Sequence, residues 1–193
     1  MAAPGRPHHR NTYAQYVAIE RDSAIKHEFF DGEIYAMAGG TEDHSALSAN
    51  VIVALGQALE DRPCRVHTSD LRIYVEAVGL ATFPDGSVIC GALQKHPPGP
   101  EATATNPLVL IEVTSDSSES YDTGFKLEAY RTIPSVRDII LVSHRERCIT
   151  VHHRDAAGAW SRRVAIAGGR VAVESLATEL VVDRIYRNSS IER

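Results

Sequence analysis

The run Leu-Val-Leu-Ile-Glu-Val at 108–113 is apolar at every position but one. That pattern predicts a strand covered on both faces, because neither side of its pleat meets water. Shorter extended runs precede it at 64–67, 71–75 and 82–90. Two more follow at 138–143 and 148–153, joined by the polar turn 144–147. Near the start, 27–37 divides into two extended runs about Asp31-Gly32, a pair favoured in hairpin turns. Residues 160–165 and 170–173 flank Gly168-Gly169 and predict a last hairpin, while 180–186 fits no single pattern.

Helical spacing occurs three times. Tyr13, Tyr16 and Val17 mark a short helix over 11–20. Thr41 caps the next, and Glu42 and Asp43 in its first turn suit the positive end of the helix dipole. Its buried stripe comprises Leu47, Val51, Val53, Ala54, Leu55 and Leu59, and it ends before Pro63. The third spans 120–132 and stops short of Pro134, because the residue before a proline avoids helical geometry. Residues 94–106, rich in Pro, Ala and Thr, predict a mobile loop. These elements predict an α+β (α/β-like) fold: a mixed central β-sheet flanked by helices, with additional β-hairpins.

Length and composition bound the picture without changing it. A chain of 193 residues, 44% hydrophobic and 23% charged, makes one domain with a sizeable core. The expected boundaries are a disordered arm at 1–11, a single domain at 12–188 and a flexible tail at 189–193. No apolar run reaches the roughly 20 residues that cross a bilayer. The first ten residues lack the apolar stretch of a secretory signal, so the cytoplasm is the expected location. Cys64, Cys90 and Cys148 are odd in number and far apart, which predicts buried free thiols. A net charge of -5 does not mark a nucleic-acid binder, although a nuclease needs only a local basic surface. Arg62, Arg65, Arg72 and Lys95 read either as such a surface or as ordinary solvated charge.

Two carboxylates then change the picture. Asp85 follows Pro84 within an extended run, and Glu112 is the lone charge of the apolar one. An ionised carboxylate among such neighbours is costly without a partner or a metal. On neighbouring strands the two would converge on one hard cation. Downstream, Asp122-x-x-x-Lys126 lies on the third helix, where an amine could orient a water or offset charge on a phosphate. Each piece also has a plain reading. Asp85 fits a Pro-Asp turn and Glu112 a buried pair with arginine. Asp122 and Lys126 fit a surface ion pair contributing about 0.3–0.5 kcal/mol.

Order and spacing favour the first reading. Acid, then acid on an apolar strand, resembles the PD-(D/E)xK nuclease superfamily. His27-Glu28-Phe29-Phe30-Asp31-Gly32-Glu33-Ile34 and Met37-Ala38-Gly39-Gly40 narrow the likeness, as do His44, Cys64-Arg65-Val66 and Ser69-Asp70-Leu71. Pro84-Asp85, Cys90-Gly91, Asn106-Pro107, Ile111-Glu112-Val113, Tyr121-Asp122, Lys126 and Tyr130 continue it. As an ordered set over 12–153 these residues resemble the Uma-two family of restriction-endonuclease type. The resemblance implies a restriction-endonuclease-like core and metal-dependent hydrolysis of DNA.

Carried over, Asp85, Glu112 and Lys126 are the catalytic set. Asp85, Glu112 and the Val113 carbonyl would hold Mg²⁺ or Mn²⁺, with Glu28 a further candidate. Asp122, Thr114 and His44 are supporting candidates. Thr114 stands where the superfamily usually has its lysine, and Lys126 supplies the amine from the following helix instead. Two departures stand out. Gly86-Ser87 replace bulky residues after Pro-Asp, which predicts a bulge that could re-aim Asp85. Asp116 replaces the usual proline after the Glu-containing strand, and could assist the site or disturb it.

Other chemistries lack support. His8-His9 and His152-His153 are adjacent pairs, and strand neighbours point to opposite faces. There is no HExxH or CxxC, no G-x-S-x-G elbow and no Walker lysine loop. The rival readings are a nucleic-acid-binding protein on a nuclease fold that cleaves weakly or not at all, and a protein-interaction module. A homodimer is expected if both strands of a duplex are cut symmetrically.

Overall fold

A computed structural model describes residues 10–96 and 103–191. Thr12 starts α1 (Tyr13–Asp22) with a reciprocal capping box: its hydroxyl accepts from the Gln15 N–H and the Gln15 side chain accepts from its own. The hairpin β1 (His27–Phe30) and β2 (Glu33–Ala36) turns through Asp31 and Gly32, both at positive φ. Glycine is required at 32 on a second count, since a Cβ there would meet Arg10 Cβ at 2.7 Å.

Along the chain follow α2 (Glu42–Ala58), β3 (Cys64–Thr68), β4 (Arg72–Val75), β5 (Leu80–Thr82), β6 (Gly86–Cys90), β7 (Thr103–Ala104) and β8 (Val109–Val113). A helix in three parts comes next: α3 (Glu119–Tyr121), a π-helical turn (Asp122–Lys126) and α4 (Leu127–Arg131). Then come β9 (Asp138–Val142), β10 (Cys148–Arg154), β11 (Trp160–Ile166), β12 (Arg170–Val173), β13 (Thr178–Val181) and α5 (Val182–Ile185).

Six strands form the larger sheet, in the order β11-β10-β9-β8-β6-β3. β8 and β9 run parallel, so the helical stretch between them is a crossover lying on the sheet. Five strands form the smaller sheet, β2-β1-β5-β4-β7, and β12 pairs with β13 as a separate ribbon. Every residue of β8 is buried, as its apolar pattern requires. On one face of the larger sheet Leu47, Val51 and Leu55 of α2 pack on Val88, Ile111 and Val113. On the other, Leu127, Ala129 and Tyr130 of α4 pack with Leu110 and Ile139, and Ile73, Val75 and Leu80 of the smaller sheet join them.

Several expectations need correction. The run 82–90 is not one strand: it breaks at Phe83-Pro84-Asp85, where the chain leaves the smaller sheet and enters the larger. β12 pairs with β13 and not with β11, because 178–181 offers it a second strand. Val53 is 57% exposed, so the stripe of α2 is narrower than its apolar residues imply. Cys64 and Cys90 are not free thiols. They face each other across β3 and β6 and form a disulfide, leaving Cys148 free.

Residues 97–102 of the predicted loop lie outside the described residues, but its stem is ordered by pairing of Lys95 with Ala104. The N-terminal arm, at 1–9, lies outside them too. Arg10 and Asn11 instead dock on the hairpin through Asp31 and Gly32. In the predicted tail, Ile191 is buried in the core and Ser190 bonds Asp43, while 192–193 lies outside the described residues. Among the described residues no helix is long and apolar enough to cross a membrane.

Candidate active site

Asp85 stands where the chain crosses between sheets. The β6–β8 register pairs Gly86 with Ile111, and one step further sets Asp85 across from Glu112. The predicted bulge is absent, since the ladder runs unbroken from Gly86 to Cys90 against β3. Glycine has another use at 86: a Cβ there would meet Ile111 Cδ1 at 2.9 Å. Close packing of the two strands brings Asp85 Oδ2 within 2.8 Å of the Val113 N–H, which donates to it.

Glu112 is 3% exposed. The Tyr130 hydroxyl donates to its Oε1 at 2.5 Å, and Lys126 Nζ lies 2.8 Å from the same oxygen. Lys126 is itself 4% exposed and also lies 3.4 Å from both Glu28 Oε1 and Asp122 Oδ1. Glu28 is buried on β1 and accepts from the Thr82 hydroxyl. The π-helical turn arranges this: Asp122 and Lys126, four apart, both face inward, while Thr123, Gly124 and Phe125 between them stay exposed. Widened turns of this kind are often found at functional sites.

Charge is unevenly balanced here. Four acids (Glu28, Asp85, Glu112, Asp122) gather about one buried ammonium. Burial pushes the Glu112 carboxyl up to about 8, against the pull of Lys126, and Asp122 and Asp85 add to the rise. Burial raises Asp122 as well. For Lys126 burial opposes the charge, but Glu112, Tyr130, Glu28 and Asp122 outweigh it and keep the amine protonated. His44, from the first turn of α2, puts Nε2 3.2 Å from Asp85 Oδ2. Its bond to Asp85 raises the imidazole pKa despite partial burial.

Asp85, Glu112, Lys126, Val113, Glu28, Asp122 and His44 thus line one cleft of about 610 Å³. Thr114 is not among them. It is tied to His144, whose Nδ1 lies 2.8 Å from its hydroxyl. Asp116 is exposed and paired with His144 and Arg145, and is not among the residues that line the cleft. Arg72 is buried, bonded to Thr103 and stacked over Tyr16, which removes it from any phosphate path. Arg62 is committed to the Leu176 carbonyl. Tyr130 and Thr82 were missed as site groups. Tyr130 could have been found, because it lies one helical turn beyond Lys126 on the same face.

Among the described residues no three His, Cys, Asp or Glu side chains stand close enough together to grip a metal. The oxygens on offer are those of Asp85, Glu112 and the Val113 carbonyl. Both contacts to Glu112 use Oε1, which leaves Oε2 free to face a cation.

Comparison with known proteins places the chain in a family. The model of the Uma2 family, described as "Putative restriction endonuclease", matches residues 13–183. The uncharacterized protein slr1290 of Synechocystis sp. is 33% identical over 185 residues, covering 96% of each chain. A second uncharacterized Synechocystis protein, sll1609, is 31% identical over 147 residues, covering 76% of this chain and 81% of its own. The crystal structure of a putative nuclease belonging to DUF820 from Anabaena variabilis superposes with a TM-score of 0.68 at 19% identity, over 85% of this chain and 91% of that one. The fold is therefore the restriction-endonuclease-like α+β fold. With a match from near the first helix to the last, the chain belongs to the Uma2 family.

Proposed function

We propose that this protein is a metal-dependent endonuclease that hydrolyses phosphodiester bonds in DNA. The observation that carries the proposal is the convergence of Lys126 Nζ, 2.8 Å from Glu112, with an Asp85 carboxylate fixed across from it at the Val113 N–H. The family description and the Anabaena structure point to the same chemistry.

The residues present fit a hard divalent ion. Mg²⁺ commonly binds through one or two carboxylates and keeps most of its waters, and the donors here are two carboxylates with one main-chain carbonyl. A pocket with four acids and one ammonium is also short of positive charge. Asp85, Glu112 and the Val113 carbonyl would hold Mg²⁺ or Mn²⁺, which when bound polarises a phosphate oxygen and neutralises charge in the transition state.

The protein groups supply the rest. Lys126 stays protonated, and its positive charge beside Glu112 offsets the negative charge that develops on the phosphate. Glu28 and Asp122 hold that amine in place, and Tyr130 fixes the rotamer of Glu112. Water adds across one P–O bond, giving a phosphate monoester and a free hydroxyl.

Purified protein should cut DNA with Mn²⁺ or Mg²⁺ and stop when the ion is chelated. Asp85→Ala should lower the rate by at least about a hundredfold, the order expected when a group stabilising transition-state charge is lost. Activity that persists in that variant would remove the site from consideration.

A further inference from the structure

One wall of the cleft is aromatic. Phe30 from β1 and Tyr35 from β2 line it together with Tyr121 and Phe125 of the helical stretch. Glu28 and Phe30 are two apart on one strand and share a face, and Tyr35 is the cross-strand partner of Glu28. Phe30 meets Phe125 edge-on at 4.7 Å, and Phe125 stacks on Tyr121 at 5.6 Å with planes 15° apart. Lys126 Nζ lies 5.8 Å from the centre of the Tyr121 ring and 3.4 Å from Glu28. The rings and the acids are therefore braced to each other.

This cluster is left open. Tyr35 is 49% exposed and Phe125 36% exposed, whereas Tyr16 and Tyr130 elsewhere are fully covered. Aromatic faces kept in water beside a polar centre mark a place for a flat apolar partner. The charge distribution narrows that partner. Of the Lys and Arg side chains among the described residues, only Lys126 lines the cleft, and it is committed to three carboxylates. Closed duplex is held mainly by Lys and Arg neutralising phosphates along its backbones. Unpaired strands are held in large part by bases stacked on aromatic rings.

We infer, on the nuclease reading above, that Phe30, Tyr35, Tyr121 and Phe125 form a base-stacking subsite. It takes an unpaired nucleobase next to the phosphodiester to be cut, so the substrate is single-stranded or frayed DNA and not closed duplex. A cleft built for one strand has no need of the twofold pairing that cutting both strands would favour.

The test uses an oligonucleotide carrying 2-aminopurine, whose fluorescence falls when it stacks. It is presented single-stranded or paired with its complement, with Ca²⁺ for binding and Mn²⁺ for cutting. The wild-type chain should quench the single strand and cut it at least about tenfold faster than the duplex. Phe125→Ala should weaken binding of the single strand about tenfold and abolish the quench. Phe125→Trp should keep both, which separates loss of a ring from loss of the fold. Tyr35→Ala, at an exposed position on an edge strand, should weaken binding without unfolding. Quenching without any cutting would leave the subsite standing and overturn the nuclease reading. Cutting of duplex at the rate of single strand, with no quench, would overturn the subsite and leave the nuclease.

Discussion

The Tyr130 hydroxyl and the Lys126 ammonium meet on a single oxygen of Glu112, at 2.5 and 2.8 Å. Both come from one helical face, so the helix fixes the rotamer of an acid that belongs to a strand. Tyr130→Phe deletes one donor and keeps the ring in the core. The expected result is a DNA-cutting rate lower by about 10- to 150-fold, from loss of a hydrogen bond to a charged group worth about 1.5–3 kcal/mol. Stopped assays on wild type and variant at matched Mn²⁺ read this directly, and Tyr130→His, keeping a donor, should recover part of it. Unchanged rates would mean that the hydroxyl does not position Glu112.

Lys126 is the counter-charge for three carboxylates while being 4% exposed itself. Removing one partner of a buried ion pair costs about 3–5 kcal/mol, because the other is left uncompensated. Lys126→Met should therefore lower urea-unfolding stability by about that amount without metal at about pH 9, where Glu112 is ionised. Adding Glu112→Gln to it should restore part of the loss. A double variant no more stable than the single would show that the ammonium is not balancing Glu112.

The Cys64–Cys90 bond ties the edge strand β3 to β6, the strand that begins just after Asp85. A denatured sample prepared without reductant should present one alkylatable thiol, Cys148, and a reduced sample all three. Reduction should lower stability by about 2–4 kcal/mol, measured by urea unfolding. Three reactive thiols in the unreduced chain would show that the pair stays open.

The elements whose local pattern decides their structure were legible in the sequence. Of the apolar run at 108–113, Val109–Val113 is a fully buried strand, and Thr41 and the pre-proline stop bounded their helices. What stayed hidden depends on neighbours that the local pattern does not encode. The break at Phe83-Pro84-Asp85 arises because two sheets meet there. The disulfide needed the β3–β6 register, 26 residues apart in the chain. Val53 is apolar but 57% exposed among the described residues, so composition alone overestimated the stripe. That Asp85, Glu112 and Lys126 share one cleft could be anticipated, because an acid in an apolar strand demands a partner. The aromatic wall could not, because it is assembled from a hairpin and a helix almost a hundred residues apart. The contact of Thr114 with His144 was not legible either, because the two lie 30 residues apart in the chain.

Burial holds the Glu112 carboxyl up at about 8, well above an unfolded glutamate near 4.3. The sign follows from proton counting. Between those two values the folded chain keeps a proton that the unfolded chain has released. Stability of the metal-free protein therefore falls as pH climbs through that window, and the loss is complete above about 8. A divalent ion needs the carboxylate, so its binding must expel the proton. Mn²⁺ affinity should thus rise about tenfold per pH unit from about pH 6 to about pH 8 and then level off. Calorimetry in two buffers of different ionisation enthalpy should count close to one proton released per ion at the acid end. Glu112→Gln should bind Mn²⁺ poorly at every pH and unfold with a flatter pH profile. An affinity that does not change across the window would show that Glu112 is already ionised in the folded protein, held so by Lys126, and that burial does not control the metal site.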